Sequence, residues 1–223
     1  MPIHRLTIAR NHLLAELTNG FALIDTGSPV SYGGGRRLEI GDSPSEPPVG
    51  PVALLHEISR EVGVEVEWLI GNDILGTWVV MLDWPGREIH FQRAANEAVG
   101  TTIRVDLRLG IPQLDISVEG RTVRAVLDSG AQLSYADREV ATRHSPVGVV
   151  EDFYPVLGRF ETRVYRFAVT VQGREIDAQW GILPDRLRHL LPLAGARWIL
   201  GVDFFKDRRI VLDFARGRVV DCR

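Results

Sequence analysis

Leu23-Ile24-Asp25-Thr26-Gly27, followed by Ser31-Tyr32, returns later in the chain as Val126-Leu127-Asp128-Ser129-Gly130, followed by Ser134-Tyr135. Each pentapeptide begins as apolar strand and stops at a carboxylate, a hydroxyl and a glycine. The offset is 103 residues. A second echo keeps the same order. Trp68-Leu69-Ile70-Gly71-Asn72-Asp73 returns as Trp198-Ile199-Leu200-Gly201-Val202-Asp203, and Val80-Met81-Leu82-Asp83-Trp84 lies over Ile210-Val211-Leu212-Asp213-Phe214, both at offset 130. The second half therefore carries 27 more residues between its motifs, 130 minus 103. Repeats found first guard against misreading the fold. Here they predict two similar halves related by a pseudo-twofold axis.

The segments around the motifs read mostly as strands. Leu13 to Leu17 and Phe21 to Ile24 flank Asn19-Gly20, a strong hairpin signal. The second half does the same with Leu114 to Val118, Glu119-Gly120 and Val123 to Leu127. Each hairpin delivers the chain into its Asp-[Thr/Ser]-Gly turn. Residues 52–62 carry apolar positions at helical spacing without Gly or Pro and predict a helix. Pro184 to Leu191 predicts another, with Pro184 in its first turn. Residues 33–51 read as loop from their Gly, Pro and Ser content, and 92–101 as a linker.

The extra length of the second half lies at about residues 144–183. Tyr165, Phe167, Val169 and Val171 alternate with polar or small residues, as in a half-buried strand, and Gln172-Gly173 follows as a turn. Upstream, residues 152–160 predict a partner strand entering a tip near Leu157-Gly158. The first half has no counterpart to this long β-hairpin.

Composition removes several classes of function. With 45% hydrophobic and 25% charged residues among 223, the chain is ordinary globular material. No run of about 18 apolar residues exists to span a membrane. The net charge of −3 lacks the footprint of a nucleic-acid binder. Cys222 is the single cysteine, which excludes an intramolecular disulfide and a cysteine-based zinc site. The histidines lack metal-binding spacing, Gly33-Gly34-Gly35 lacks the Lys-[Ser/Thr] of a phosphate loop, and no Gly-x-Ser-x-Gly elbow occurs.

Pseudo-twofold pairing brings Asp25 and Asp128 together. Two carboxylates a few ångströms apart cannot both ionise easily, so the pair holds one proton. Such a dyad can activate a water with its ionised member and protonate a carbonyl oxygen with the other. At these residues the sequence resembles the aspartic peptidases, pepsin-like and retroviral. Ile24-Asp25-Thr26-Gly27-Ser28 is similar to the pepsin-type signature, and Leu127-Asp128-Ser129-Gly130-Ala131 to the retroviral one. Trp68 to Gly71 and Trp198 to Gly201 resemble the apolar-apolar-Gly element that packs under each catalytic turn.

The resemblance implies a mainly β, two-lobed acid-protease fold: a duplicated small barrel-like lobe with short helices, residues 1–95 and 96–223. It implies Asp25 and Asp128 as the catalytic pair, Thr26 and Ser129 as cross-braces, and Gly27 and Gly130 as shapers of the turns, with Ser28 also supporting the site. The hairpin around 153–171 takes the place of the flap, with Tyr154, Leu157 and Gly158 near substrate and Tyr165 a further aromatic candidate. Pepsin-like enzymes carry their flap on the first lobe, whereas here it falls in the second. The implied activity is aspartic endopeptidase, with a peptide or protein as substrate. No metal or cofactor is expected, nor a nucleic-acid or membrane partner. With both aspartates in one chain, a monomer suffices, and MPIHRLTIAR lacks a secretory signal, which points to the cytoplasm. The alternative is a non-catalytic peptide-binding module on the same scaffold. Asp73 and Asp203 read as helix N-caps, Asp83 and Asp213 as turn residues, and Tyr32 and Tyr135 as core or pocket wall. A Ser28 hydroxyl on the dyad, without a counterpart at Ala131, predicts activity at about pH 4–6.

Overall fold

The first strands form an antiparallel meander: β1 (Ile3–Ala9), β2 (His12–Leu17) and β3 (Gly20–Ile24). Arg10 and Asn11 between β1 and β2 have φ of 44° and 62°, the left-handed pair that a tight hairpin requires. These positions belong to a computed structural model that describes residues 2–40, 43–93, 98–154, 158–189, 191 and 195–222. After the Asp25 turn come β4 (Tyr32–Gly33), a small hairpin of β5 (Leu38–Ile40) and β6 (Ser43–Ser45), and α1 (Val52–Val62). That hairpin lies within the stretch expected to be loop. Its Leu38 and Ile40 are buried, a two-residue alternation outweighed in the sequence by surrounding Gly and Pro. Helix α1 matches its expected bounds. Leu55, Ile58 and Val62 pack on Leu14, Leu23 and Leu69, and Gly63 closes the helix at φ 79°.

The first half ends with β7 (Val66–Ile70), α2 (Asn72–Leu75), β8 (Val79–Asp83) and β9 (Glu88–Gln92). The second begins with β10 (Thr101–Arg104), β11 (Asp106–Arg108), β12 (Ile111–Val118), β13 (Arg121–Leu127) and β14 (Ser134–Tyr135). Then follow α3 (Arg138–Ala141), β15 (Pro146–Tyr154), β16 (Gly158–Val171), β17 (Arg174–Gly181) and α4 (Asp185–Arg188). The last elements are β18 (Trp198–Leu200), a 3-10 turn at Val202–Phe204, β19 (Arg209–Asp213) and β20 (Arg218–Cys222). Helix α4 is shorter than the expected 184–191, and Pro184 sits at its N-cap instead of its first turn.

The chain is mainly β with short helices, as expected. An eight-stranded sheet, β11-β12-β13-β18-β14-β17-β16-β15, comes wholly from the second half. A ten-stranded sheet, β10-β20-β19-β8-β9-β1-β2-β3-β7-β4, joins both halves, because β10, β19 and β20 pair onto first-half strands. The seam is antiparallel: Val80 faces Leu212, Met81 faces Val211 and Leu82 faces Ile210. Residues 80–82 and 210–212 occupy equivalent places in the repeat, so the seam is self-complementary, as a twofold contact must be. Its end is tied by Arg209 Nε and Nη2, which donate to Asp83 Oδ2 at 2.8 and 2.6 Å. Asp83 also accepts from Gly86 N–H at 2.9 Å, the turn role expected of it. One apolar core runs through both sheets, with Trp180 stacked on Phe167 at 5.2 Å and edge-on to Trp198 at 5.3 Å.

Candidate active site

Each Asp turn is held by the same local construction. Strand β3 lies parallel to β7, with Ile24 opposite Ile70, and Asp25 N–H donates to Ile70 O at 3.0 Å. Strand β13 lies parallel to β18, with Leu127 opposite Leu200, and Asp128 N–H donates to Leu200 O at 3.0 Å. Buried Ser31 and Ser134 then pin the following glycines: Gly71 N–H and Gly201 N–H donate to their hydroxyls at 2.8 and 3.0 Å. Gly71 and Gly201 must be glycine, since a Cβ on either would lie 2.7 Å from a backbone atom of the adjoining turn. The Trp-apolar-apolar-Gly echo is thus the support beneath each turn.

The two turns are laced to each other. Thr26 Oγ1 donates to Leu127 O at 2.7 Å and accepts from Ser129 N–H at 2.9 Å. Ser129 Oγ donates to Ile24 O at 2.7 Å and accepts from Thr26 N–H at 3.0 Å. Both side chains are fully buried. The reciprocity explains why Ser can stand where the first half has Thr: the lacing uses only the hydroxyl.

Lacing sets the carboxyl groups of Asp25 and Asp128 close enough that each shifts the other's titration. Asp25 Oδ1 accepts from Gly27 and Ser28 N–H at 2.9 and 3.1 Å, and Asp128 Oδ1 from Gly130 and Ala131 N–H at 2.9 and 3.1 Å. A Cβ on Gly27 would lie 2.4 Å from Asp128 Oδ2, and one on Gly130 2.6 Å from Asp25 Cγ. Each glycine therefore leaves the room that the opposite carboxyl occupies. Burial and the charge of Asp128 hold Asp25 well above the ordinary aspartate value. Burial raises Asp128 too, opposed by the N–H groups of Gly130 and Ala131 and by Asp25 itself. The pair titrates as a unit and shares one proton.

Two expectations about this site are corrected. Ser28 supports Asp25 through its N–H alone; its hydroxyl donates to Val30 O at 2.7 Å, away from the dyad. The turn folds back on itself there and captures the hydroxyl, so the pH 4–6 expectation loses its basis. Asp73 is not an N-cap, since Gly71 holds that position of α2. Its Oδ1 accepts from Ser31 N–H at 2.9 Å and Ser31 Oγ at 2.5 Å, bracing the serine under Gly71. Asp203 likewise lies inside its short turn, where Gly201 is the cap.

The long hairpin is β15–β16, with Tyr154 paired to Gly158; Leu157 lies outside the described residues. Strand β17, not foreseen, extends it with Phe167 opposite Ala178. A cavity of about 90 Å³ lies between the dyad, the hairpin and α1. Tyr154 lines it, and burial with the charges of Asp128 and Asp25 pushes its phenol above the ordinary range. Gly158 turns the chain at φ 80° but does not line the cavity, and Tyr165 is buried in the core. Phe153 packs against the α1 cluster of the first half, and Arg159 Nη2 stands 2.8 Å from Glu61 on α1. The hairpin thus reaches across from one half to the other.

Other cavity residues had no sequence signal as site residues. Asp152 is buried and accepts from Gln132 Nε2 at 2.6 Å, Phe153 N–H at 2.7 Å and Tyr135 Oη. Tyr135, read as core or pocket wall, does line the cavity; burial and Asp152 drive its phenol far above the ordinary range. Tyr32 packs beside α1 instead. Among the described residues, no group of three or more His, Cys, Asp or Glu could hold a metal ion, and no helix is long and apolar enough to cross a membrane.

No family model and no curated protein matches the chain. Among solved structures it is similar to the simian foamy virus (mac) protease in solution, at 20% identity and a TM-score of 0.30, over 40% of this chain and 86% of that one. It is similar also to the foamy viral protease-reverse transcriptase in complex with an RNA/DNA hybrid, at 19% identity and a TM-score of 0.32, over 40% of this chain and 10% of that one. The match thus spans a tenth of that longer chain. Both neighbours are proteases or contain one.

Proposed function

We propose that this chain is an aspartic endopeptidase whose two lobes, residues 1–95 and 96–223, each supply one half of an Asp25/Asp128 dyad. The observation that carries the reading is the reciprocal Thr26–Ser129 lacing, which holds two carboxyls in contact, each on two backbone N–H donors. A structural turn aspartate needs one such arrangement. Two of them, facing each other across a cavity and sharing a proton, are a general acid and a general base at one place.

In the reaction, ionised Asp128 takes a proton from a water whose oxygen attacks the scissile carbonyl carbon. Asp25 gives its proton to the carbonyl oxygen, and a neutral gem-diol forms. Asp128 then protonates the amide nitrogen as the C–N bond breaks, and the gem-diol returns a proton to Asp25. Protons balance and the dyad ends as it began. The β15–β16 hairpin acts as the flap. The cavity beneath it, beside the dyad, takes the scissile bond and the attacking water, and the hairpin lifts to admit substrate and closes over it. Extended peptide then lies against the hairpin in strand-like pairing. Since one chain supplies both aspartates, a monomer is the active species.

The test is digestion of an unfolded protein mixture by wild type, Asp25→Asn and Asp128→Asn, with fragments read by mass spectrometry. Cleavage by wild type alone is expected. A peptide-binding module without catalysis would instead bind peptides equally with or without Asp25, and either variant cutting at the wild-type rate sinks the dyad.

A further inference from the structure

The cavity beside the dyad has a polar lining in which acceptors predominate. His12 is buried in β2, and its Nδ1–H donates to Arg10 O at 2.9 Å. Burial favours the neutral ring, in which Nδ1 carries the hydrogen and Nε2 is a lone-pair acceptor, and His12 lines the cavity. Gln132 gives one N–H to Asp152, and its carbonyl oxygen remains as an acceptor. Asp152 holds its three donors and retains acceptor capacity, and Glu61 contributes a second carboxylate. Apart from the dyad's shared proton and the second N–H of Gln132, these groups offer acceptors. The uncommitted side-chain donors of the described lining, beyond the dyad's own proton, are the Tyr154 hydroxyl and the second N–H of Gln132.

Gathered carboxylates and lone pairs are a cost unless donors arrive to satisfy them. The group that brings several N–H donors with a positive charge is a guanidinium or an ammonium. The hairpin already supplies a stand-in: the guanidinium of Arg159, itself half exposed, rests on Glu61 at 2.8 Å from the solvent side. The apolar walls, Ile58, Val62, Leu183 and Ile199, suit the methylene stem of a basic side chain.

We propose that this cavity is a recognition pocket for the cationic end of a basic residue, with Glu61, Asp152, His12 and Gln132 as its acceptors, so that the peptides cut here carry Arg or Lys beside the scissile bond. The proposal rests on the endopeptidase reading and names its substrate class. The same N–H chemistry could arrive as a free peptide N-terminus, and the side chain is the source assigned here, because apolar walls line the approach.

The test uses the whole chain and end-blocked decapeptides that differ only at one central residue, Arg or its neutral isostere citrulline. A third peptide carries citrulline and a free N-terminus. At least tenfold higher kcat/KM for Arg is expected, falling below about threefold in Glu61→Gln. Equal cleavage of Arg and citrulline peptides overturns the pocket while leaving the peptidase reading intact. Preference for the free N-terminus overturns the side-chain assignment. If nothing is cut, the peptidase reading fails, and calorimetric binding to the same peptides decides the pocket separately: at least tenfold tighter binding of the Arg peptide upholds it, and equal affinity ends it.

Discussion

Thr26→Val is the sharpest perturbation of the lacing, because it keeps the shape and deletes only the hydroxyl. Two bonds disappear, Thr26 Oγ1 to Leu127 O and Ser129 N–H to Thr26 Oγ1, at 2.7 and 2.9 Å. Leu127 is fully buried and so is Ser129, so neither stranded group finds water. Each orphaned buried group costs about 1–3 kcal/mol, which puts Thr26→Val at about 2–6 kcal/mol. That is a large share of the roughly 5–15 kcal/mol that stabilises a typical folded protein. Ser129→Ala deletes the mirror pair of bonds, and its expected loss is of the same size. Thr26→Ser keeps both bonds and removes one methyl, for about 1 kcal/mol. Urea unfolding at fixed pH, with the slope checked for constancy, measures all three. Thr26→Val within 0.5 kcal/mol of Thr26→Ser, on an order-of-magnitude scale where orphaned groups matter, would refute the account of the lacing.

Two further outcomes follow from the titration of the dyad. Asp25 is raised well above its ordinary 3.8, so its stabilising share is complete below that value and is lost as pH climbs through the folded-state value. Asp25→Asn should therefore unfold at higher urea than wild type at about pH 8, with the gap closing near pH 3; a gap that widens on acidification contradicts the burial cause. The upper limb of the kcat/KM profile reports loss of the shared proton. With the Ser28 hydroxyl turned away from the dyad and burial raising both members, that limb should lie above the pH 4–6 range expected from a Ser28 donor, and a collapse of the rate by about pH 5 counts against it.

The parts of the site legible in the sequence were those written twice. Asp25 and Asp128, their hydroxyl and glycine neighbours, and the supports at Gly71 and Gly201 each announced themselves by repetition. Helix α1 was legible because its apolar spacing is self-contained. The pocket was not, because its residues occur once and meet only in space: His12 on β2, Glu61 on α1 and Asp152 on β15 lie far apart along the chain. Strand β1 hid behind its mixed composition, since its burial is partial along most of its length. The Ser28 hydroxyl was misjudged because its choice between Asp25 and Val30 O depends on turn dihedrals, and no residue identity encodes those.

The seam between β8 and β19 carries a consequence for biosynthesis. Asp83 and its partner Arg209 are 126 residues apart. As the chain leaves the ribosome, β8 can pair with β9, but its other edge waits for β19. At synthesis rates of about 5–20 residues per second, that wait is on the order of ten seconds. During it, a strand of Val79, Val80 and Leu82 presents an open edge, the kind that recruits other chains. Slowing translation over residues 84–208 should then raise the insoluble fraction of newly made protein, and an escort that covers the β8 edge should lower it.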